Sequence, residues 1–287
     1  MSIYKNEAAK NELLALYEAK LTACNISYTD QYVETFAGKT HIIIAGDEKL
    51  PPIVLLHGIN AGAPLALEAV RDLTTKYRIF AIDIVGQANK SAETRLPIHD
   101  NSIGKWLVEV LDALKLGKIS FVSVSYGAFV LQKLMIYQPE RIEKAIFVVP
   151  SGLANGGAWE NITKLMFPLM KFHFTKKEAD LIRFMDAFYT TKDAHSIAFQ
   201  KAILLGIKMD YRKPPVLTEK EVANVAAPVY AMVADNDIFF PGDKALERCQ
   251  QIFAHFKASF VLKNCKHIPD ISTYPLISQQ IEKWLGE

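Results

Sequence analysis

From Pro52 onward the chain alternates short, largely uninterrupted apolar runs with longer segments of helical character. That alternation restricts the available folds more than any other feature. The runs are Ile53–Leu56, Arg78–Ile82, Ile119–Val124, Ala145–Val149, Val229–Val233 and Ser259–Leu262. A strand with one wet face alternates apolar and polar residues, whereas a strand covered on both faces reads as a continuous apolar run. The helical segments are Leu65–Thr75, Ser102–Leu114, Ala128–Tyr137, Gly242–Phe256 and Pro275–Leu285. Repetition of strand, helix and strand implies parallel pairing through right-handed crossovers, hence an α/β fold with helices on both faces of a mostly parallel sheet. Ahead of this pattern, Glu7–Cys24 reads as a helix, with Leu13, Leu14, Tyr17 and Leu21 at helical spacing. It is expected to pack on the main domain, with a homodimer contact as the alternative. Tyr28–Phe36 and Thr40–Ala45 read as a strand pair around the turn Ala37-Gly38-Lys39.

Four of the runs end in residues that carry chemistry. Ile119–Val124 leads into Ser123-Val124-Ser125-Tyr126-Gly127, followed by the helical Ala128-Phe129-Val130-Leu131. A serine on a sharp turn between strand and helix, flanked by small residues, matches the nucleophile elbow G-x-S-x-G, with Ser123 in place of the first glycine. Such a hydroxyl becomes a useful nucleophile only when it is exposed, aimed and placed beside a base. The ordinary alternative for Ser125 is a helix N-cap. After Val229–Val233 come Asp235 and Asp237, and after Ser259–Leu262 comes His267. Serine, then acid, then histidine, each after its own strand, is a chain order that supports acyl transfer. The run Ile53–Leu56 ends in His57-Gly58, where an oxyanion loop would sit.

With these pieces the chain resembles the α/β-hydrolase superfamily over nearly its whole length. The resemblance rests on His57-Gly58, Asp83-Ile84-Val85-Gly86, the Ser125 elbow, Asp237 with Pro241 four residues on, and His267. Thr40–Gly46 and Asp83–Ser91 look like the bacterial carboxylesterase NP-like group. Ser123, Ala234 and Lys266 depart from the glycines usual before nucleophile, acid and histidine; none removes a reactive group. The resemblance implies an α/β-hydrolase fold with an inserted helical cap. It also implies Ser125 as nucleophile, His267 as base, and Asp237 as the acid in preference to Asp235, because Pro241 suits the family's acid loop. Asp243, which opens a helix, and Asp270, which follows the histidine, are poorer acids. Tyr126 and Ile59 are the implied backbone donors of an oxyanion hole, and His57 is implied to shape that loop rather than act as a base.

The alternation fails between Ser151 and Ala227. Helical segments around Glu160–Phe174, Lys177–Tyr189 and Asp193–Ile207 concentrate methionine and phenylalanine there. The expected organisation is therefore an N-terminal part of the core over 1–150, a helical cap over 151–215, and a C-terminal part of the core over 216–287. Phe167, Phe184 and Phe188 are the candidate aromatics for an apolar substrate pocket, the alternative being that they pack the cap onto the sheet. Acids and lysines interrupt the apolar face, which argues against a membrane-docking cap.

Composition narrows the function. A chain of 287 residues that is 50% hydrophobic can bury a substantial core. A net charge of +2 and a pI near 8.2, without a long Lys/Arg run, argue against nucleic acid as partner. Cys24, Cys249 and Cys265 are odd in number and widely spaced, which suits a reducing compartment. No apolar run nears the ~20 residues that cross a bilayer, so no stable membrane insertion is expected and the simplest location is cytoplasmic. No ligand spacing suggests a metal and no glycine pattern suggests a phosphate or dinucleotide cofactor. The expected function is hydrolysis of a small apolar carboxylic ester through a serine acyl-enzyme. Thioesters, lactones and the C–C bond of a dienoic acid remain open, as do perhydrolysis and a ligand-binding protein that has lost turnover.

Overall fold

The computed structural model describes residues 2–287. The apolar runs fall in strands of one eight-stranded sheet, all of them inner except Ser259–Leu262, which lies in the half-buried edge strand β8: β1 (Tyr28–Thr35), β2 (Gly38–Ala45), β3 (Pro52–Leu56), β4 (Arg78–Ile82), β5 (Ile119–Val124), β6 (Ile142–Val148), β7 (Val229–Ala234) and β8 (Phe256–Leu262), in the order β1-β2-β4-β3-β5-β6-β7-β8. β1, β2 and β4 pair antiparallel, and every pairing from β4 through β3 to β8 is parallel. In register, Leu55 stands opposite Ala81 and Val122, so the middle of the sheet is a ladder of small and branched residues.

Successive residues of a strand point to opposite faces, and both faces are dry. Val54, Leu56, Phe121 and Phe147 pack with helices α3 (Ser102–Ala113), α4 (Tyr126–Tyr137) and α8 (Gly242–Ile252). Ile53, Leu55, Val122 and Ile146 pack on the other side with α1 (Glu7–Ala23), α2 (Ala63–Val70) and α9 (Tyr274–Gly286). Each fully buried side chain of this kind contributes about 1.5–3 kcal/mol, so the strand ends are held by a stiff frame. The helix expected over Leu65–Thr75 ends as α-helix at Val70 and finishes as a 3-10 turn over Arg71–Thr75.

Between β6 and β7 the chain forms helices and no strand. A turn at Ala158–Glu160 passes through a π-helical stretch, Asn161–Met166, into α5 (Phe167–Thr175), followed by α6 (Glu178–Met185) and α7 (Ala194–Gly206). The insertion has its own core of Phe172, Leu181, Phe184, Met185, Phe188, Tyr189 and Leu204, joined by Ile238 from the loop after β7. α1 serves both parts. Tyr17 and Leu21 lie in the sheet core, while Leu13 packs with Phe199, Ala202 and Ile203 of α7. Among the described residues, no helix is long and apolar enough to cross a membrane.

Candidate active site

Because β3, β5, β7 and β8 run parallel, the residues that follow them emerge at one edge of the sheet, where open α/β sheets place their sites. His57-Gly58, Ser125, Asp237 and His267 all leave that edge. Ser125 Oγ lies 2.9 Å from His267 Nε2, and His267 Nδ1 lies 2.7 Å from Asp237 Oδ2. A carboxylate only accepts, so Nδ1 carries the proton toward Asp237; in the neutral ring Nε2 then accepts from the serine hydroxyl. The arrangement can thus take a proton from Ser125 and hold the resulting imidazolium against a carboxylate.

Ser125 has φ 51° and ψ −113°, a conformation that costs a non-glycine residue on the order of 1–3 kcal/mol. The turn is over-determined. The Ser125 N–H donates to Val148 O at 2.9 Å, and its carbonyl accepts from Ala128 N at 3.0 Å, Ser151 N at 3.2 Å and Ser151 Oγ at 3.0 Å. Gly127 permits the close approach of α4: a Cβ there would lie 2.5 Å from Leu56 O and 2.9 Å from His57 O. Ser123, which replaces the first glycine, is accommodated because its hydroxyl donates to Ile146 O at 3.2 Å.

The two candidate acids have different partners. Asp237 is buried, and its Oδ1 accepts from the N–H groups of Phe239 at 2.8 Å and Phe240 at 3.0 Å. Asp235 is exposed and accepts from Asn264 N at 3.0 Å, Cys265 N at 3.1 Å and Asn236 Nδ2 at 2.9 Å, so it shapes the turn that leads to His267 without touching the imidazole. Asp243 sits in the first turn of α8, and Asp270 bonds Ser272 N and the Thr191 hydroxyl.

Gly58 lies against the serine: a Cβ on it would stand 3.5 Å from Ser125 Cβ. Among the described residues, the N–H groups of Ile59 and Tyr126 donate to no protein acceptor. His57 braces this loop. Its Nδ1–H donates to Gly58 O at 2.8 Å, and its Nε2 accepts from Ile84 N at 2.9 Å and Asn89 Nδ2 at 3.2 Å. Behind it, the buried Asp83 carboxylate accepts from Ala63 N, at the start of α2, at 2.7 Å and from the Tyr17 hydroxyl at 2.9 Å. His41 Nδ1 is 2.8 Å from the same carboxylate, and His41 Nε2 is 2.6 Å from Asp30. The sequence marks Asp83 by resemblance, but its hold on the loop comes only from the fold.

Burial holds His57 below the ordinary histidine range, with the nearby Asp83 charge and the Gly58 carbonyl opposing. The neutral ring is therefore the folded form. An unfolded chain takes up the proton near pH 6.5, so the contribution of His57 to stability is complete above that pH and is lost as the pH falls through its lowered value. The urea midpoint is expected to fall between about pH 7 and pH 5, and to fall less in His57→Gln, which cannot titrate; equal slopes would remove His57 from this role.

The predicted aromatics divide. Phe184 and Phe188 lie in the insertion's interior, and Phe167 is exposed. The rings beside the imidazole are Phe239 and Phe240, with centroids 5.1 and 5.4 Å from that of His267. Phe188 reaches the site through Phe239, its ring centroid 5.3 Å away. The insertion is also tied to the histidine loop on both sides of His267. Ile268 N donates to Phe188 O at 2.8 Å, Thr190 N donates to Ile268 O at 2.9 Å, and Lys266 N donates to Thr190 Oγ1 at 2.9 Å. The Lys266 ammonium donates to Asp186 O. The lysine that departs from the usual glycine is thus a strut between the two segments.

Comparison with known proteins agrees with this architecture. The chain is 22% identical to an uncharacterized carboxylesterase, nap, of Bacillus subtilis (strain 168), over 94% of this chain and 91% of that protein. It is 23% identical to carboxylesterase YbfK of the same organism, over 94% and 92% of the two chains. The crystal structure of naproxen esterase (carboxylesterase NP) from Bacillus subtilis superposes with a TM-score of 0.84 at 20% identity, covering 98% of this chain and 99% of that one. Residues 51–194, from the start of β3 to the start of α7, match the profile of the alpha/beta hydrolase fold. The sheet order, the turn at Ser125 and this match lead to one assignment: the chain belongs to the α/β-hydrolase fold family.

Proposed function

We propose that the protein is a serine hydrolase that cleaves a carboxylic ester through an acyl-enzyme. The observation that carries this reading is the continuous hydrogen-bonded chain from Ser125 Oγ through His267 to Asp237, on a serine held at positive φ. His267 Nε2 takes the serine proton as Oγ attacks the ester carbonyl, and the N–H groups of Ile59 and Tyr126 receive the oxygen as it becomes an anion. The imidazolium, held by Asp237, gives its proton to the departing alcohol. Water then repeats the sequence on the acyl-serine and restores the hydroxyl. The esterase names of the full-length relatives support an ester over a thioester, a lactone or a C–C bond. The helical insertion of residues 151–215 acts as the cap, and Phe239, Phe240 and Phe188 make the acid-loop side of the site apolar, which supports a small uncharged ester as substrate. The three buried, unpaired cysteines suit work in the cytoplasm.

A fluorophosphonate tests the reading directly. Peptide mapping is expected to place one adduct on Ser125, and a panel of p-nitrophenyl esters of rising acyl length is expected to show turnover that the same reagent abolishes. An adduct on Ser123 or Ser151, or no adduct on folded protein, would remove the nucleophile assignment. Faster turnover of thioesters or lactones than of matched esters would replace the substrate class and leave the nucleophile in place.

A further inference from the structure

We infer that the outer ridge of the helical insertion docks reversibly on an anionic lipid surface. From Ala158 to Thr175 the insertion presents Trp159, Met166, Phe167, Met170 and Phe174 to solvent, with Trp159 75% and Phe174 85% exposed. Phe167, Met170 and Phe174 follow i, i+3, i+7 spacing and share one face of α5. Leu165, Leu169 and Phe172 turn the other way, into the insertion's own core, so the exposed residues are not needed to hold the helix down. Five side chains of about 200 Å² each, more than half exposed on average, leave on the order of 600 Å² of apolar surface along one segment. A monomer rarely leaves more than a few hundred square ångströms in one patch without a use for it.

Charge selects the occupant. Lys164, Lys171, Lys176 and Lys177 lie on the same segment. Two of the acids that interrupt its sequence are engaged locally, Glu160 with Lys164 at 3.1 Å and Asp180 with Lys171 at 2.8 Å. Lys176 and Lys177 have no ion-pair partner among the described residues; Glu178 is the remaining acid nearby. Lys164 and Lys171 are offset by these acids, so the lysines open to an anion are Lys176 and Lys177, and a second copy seated on this ridge by two-fold symmetry would bring no acid to them but Glu178. Anionic headgroups meet the lysines while the acyl boundary takes the aromatic and methionine side chains, the division of labour of a helix lying in a membrane interface. This is peripheral attachment, with the hydrolase core left in water.

Trp159 supplies the probe, because Trp106 and Trp284 are buried. With the whole protein and large unilamellar vesicles of phosphatidylcholine and phosphatidylglycerol, tryptophan emission is expected to shift to the blue and the protein to float with the vesicles. Vesicles of phosphatidylcholine alone, or ~0.5 M salt, are expected to weaken both signals. Met170→Ser/Phe174→Ser changes two exposed residues and keeps Trp159; it is expected to lower vesicle affinity roughly tenfold or more with an unchanged circular dichroism spectrum. Lys176→Glu/Lys177→Glu is a second fold-preserving variant, expected to abolish the preference for anionic vesicles. Absence of flotation by the native chain, or full affinity in both variants, overturns the inference. So does a concentration-dependent dimer in sedimentation that Met170→Ser/Phe174→Ser dissolves without any vesicle binding, which would give the face to a second copy.

Discussion

Ser125→Ala is expected to lower kcat on a p-nitrophenyl ester by about 10⁶-fold, leaving the residual rate that binding and the oxyanion donors alone provide. The effect should be this large because, in the proposed mechanism, the serine oxygen forms the covalent bond on which both half-reactions depend. The substitution removes one buried oxygen and retains the hydrogen bonds that fix the turn, since Val148 O, Ala128 N and Ser151 pair with the Ser125 main chain. Thermal unfolding of the variant should therefore stay close to that of the native protein while fluorophosphonate labelling disappears. A fall of less than about 100-fold, in protein purified free of host esterases, would mean that another nucleophile does the work.

Asp237→Asn is expected to cost about 10⁴-fold in kcat, the scale seen when the carboxylate of such a triad becomes an amide. The geometry specifies how. Asp237 Oδ1 accepts two main-chain N–H groups, from Phe239 and Phe240, so an asparagine must keep its carbonyl oxygen on that side. Its NH₂ then faces His267 Nδ1 and donates, which moves the ring proton to Nε2, the nitrogen that must accept from Ser125. The variant keeps its fold and holds the wrong tautomer. Asp235→Asn loses part of one turn and leaves the imidazole untouched, so a loss within roughly tenfold is expected. Equal losses in the two variants, measured as kcat at saturating ester, would take the acid's role from Asp237.

The sheet is legible in the sequence because strands buried on both faces carry few polar residues to confuse the pattern. Ile53–Leu56 and Ile119–Val124 are found within a residue of their observed ends. The order of Ser125, Asp237 and His267 is legible for a related reason, since each lies just beyond a strand of the parallel part of the sheet and parallel strands deliver their C-terminal loops to one edge. The features that stay hidden depend on distances that sequence does not carry. The proposed donors, Ile59 and Tyr126, are main-chain groups without a side-chain signature. Phe239 and Phe240 lie among acid-loop residues, outside the Met/Phe-rich insertion that draws attention, yet they are the rings against His267. Phe184 and Phe188 have the helical pattern of pocket residues and of cap-core residues alike, and only the fold places them in the interior. The lysines and acids of the insertion read as interruptions of an apolar face, and the fold pairs Glu160 with Lys164 and Asp180 with Lys171.

The strut between the insertion and the histidine loop bears on how this chain can be altered. In a scaffold where the cap merely rests on the core, cap residues can be exchanged to admit a new substrate while the turnover machinery stays as it was. Here residues 186–190 hold the main chain on both sides of His267, so recognition and proton transfer are inherited together. A library confined to α6 and the segment after it will therefore change rate along with selectivity.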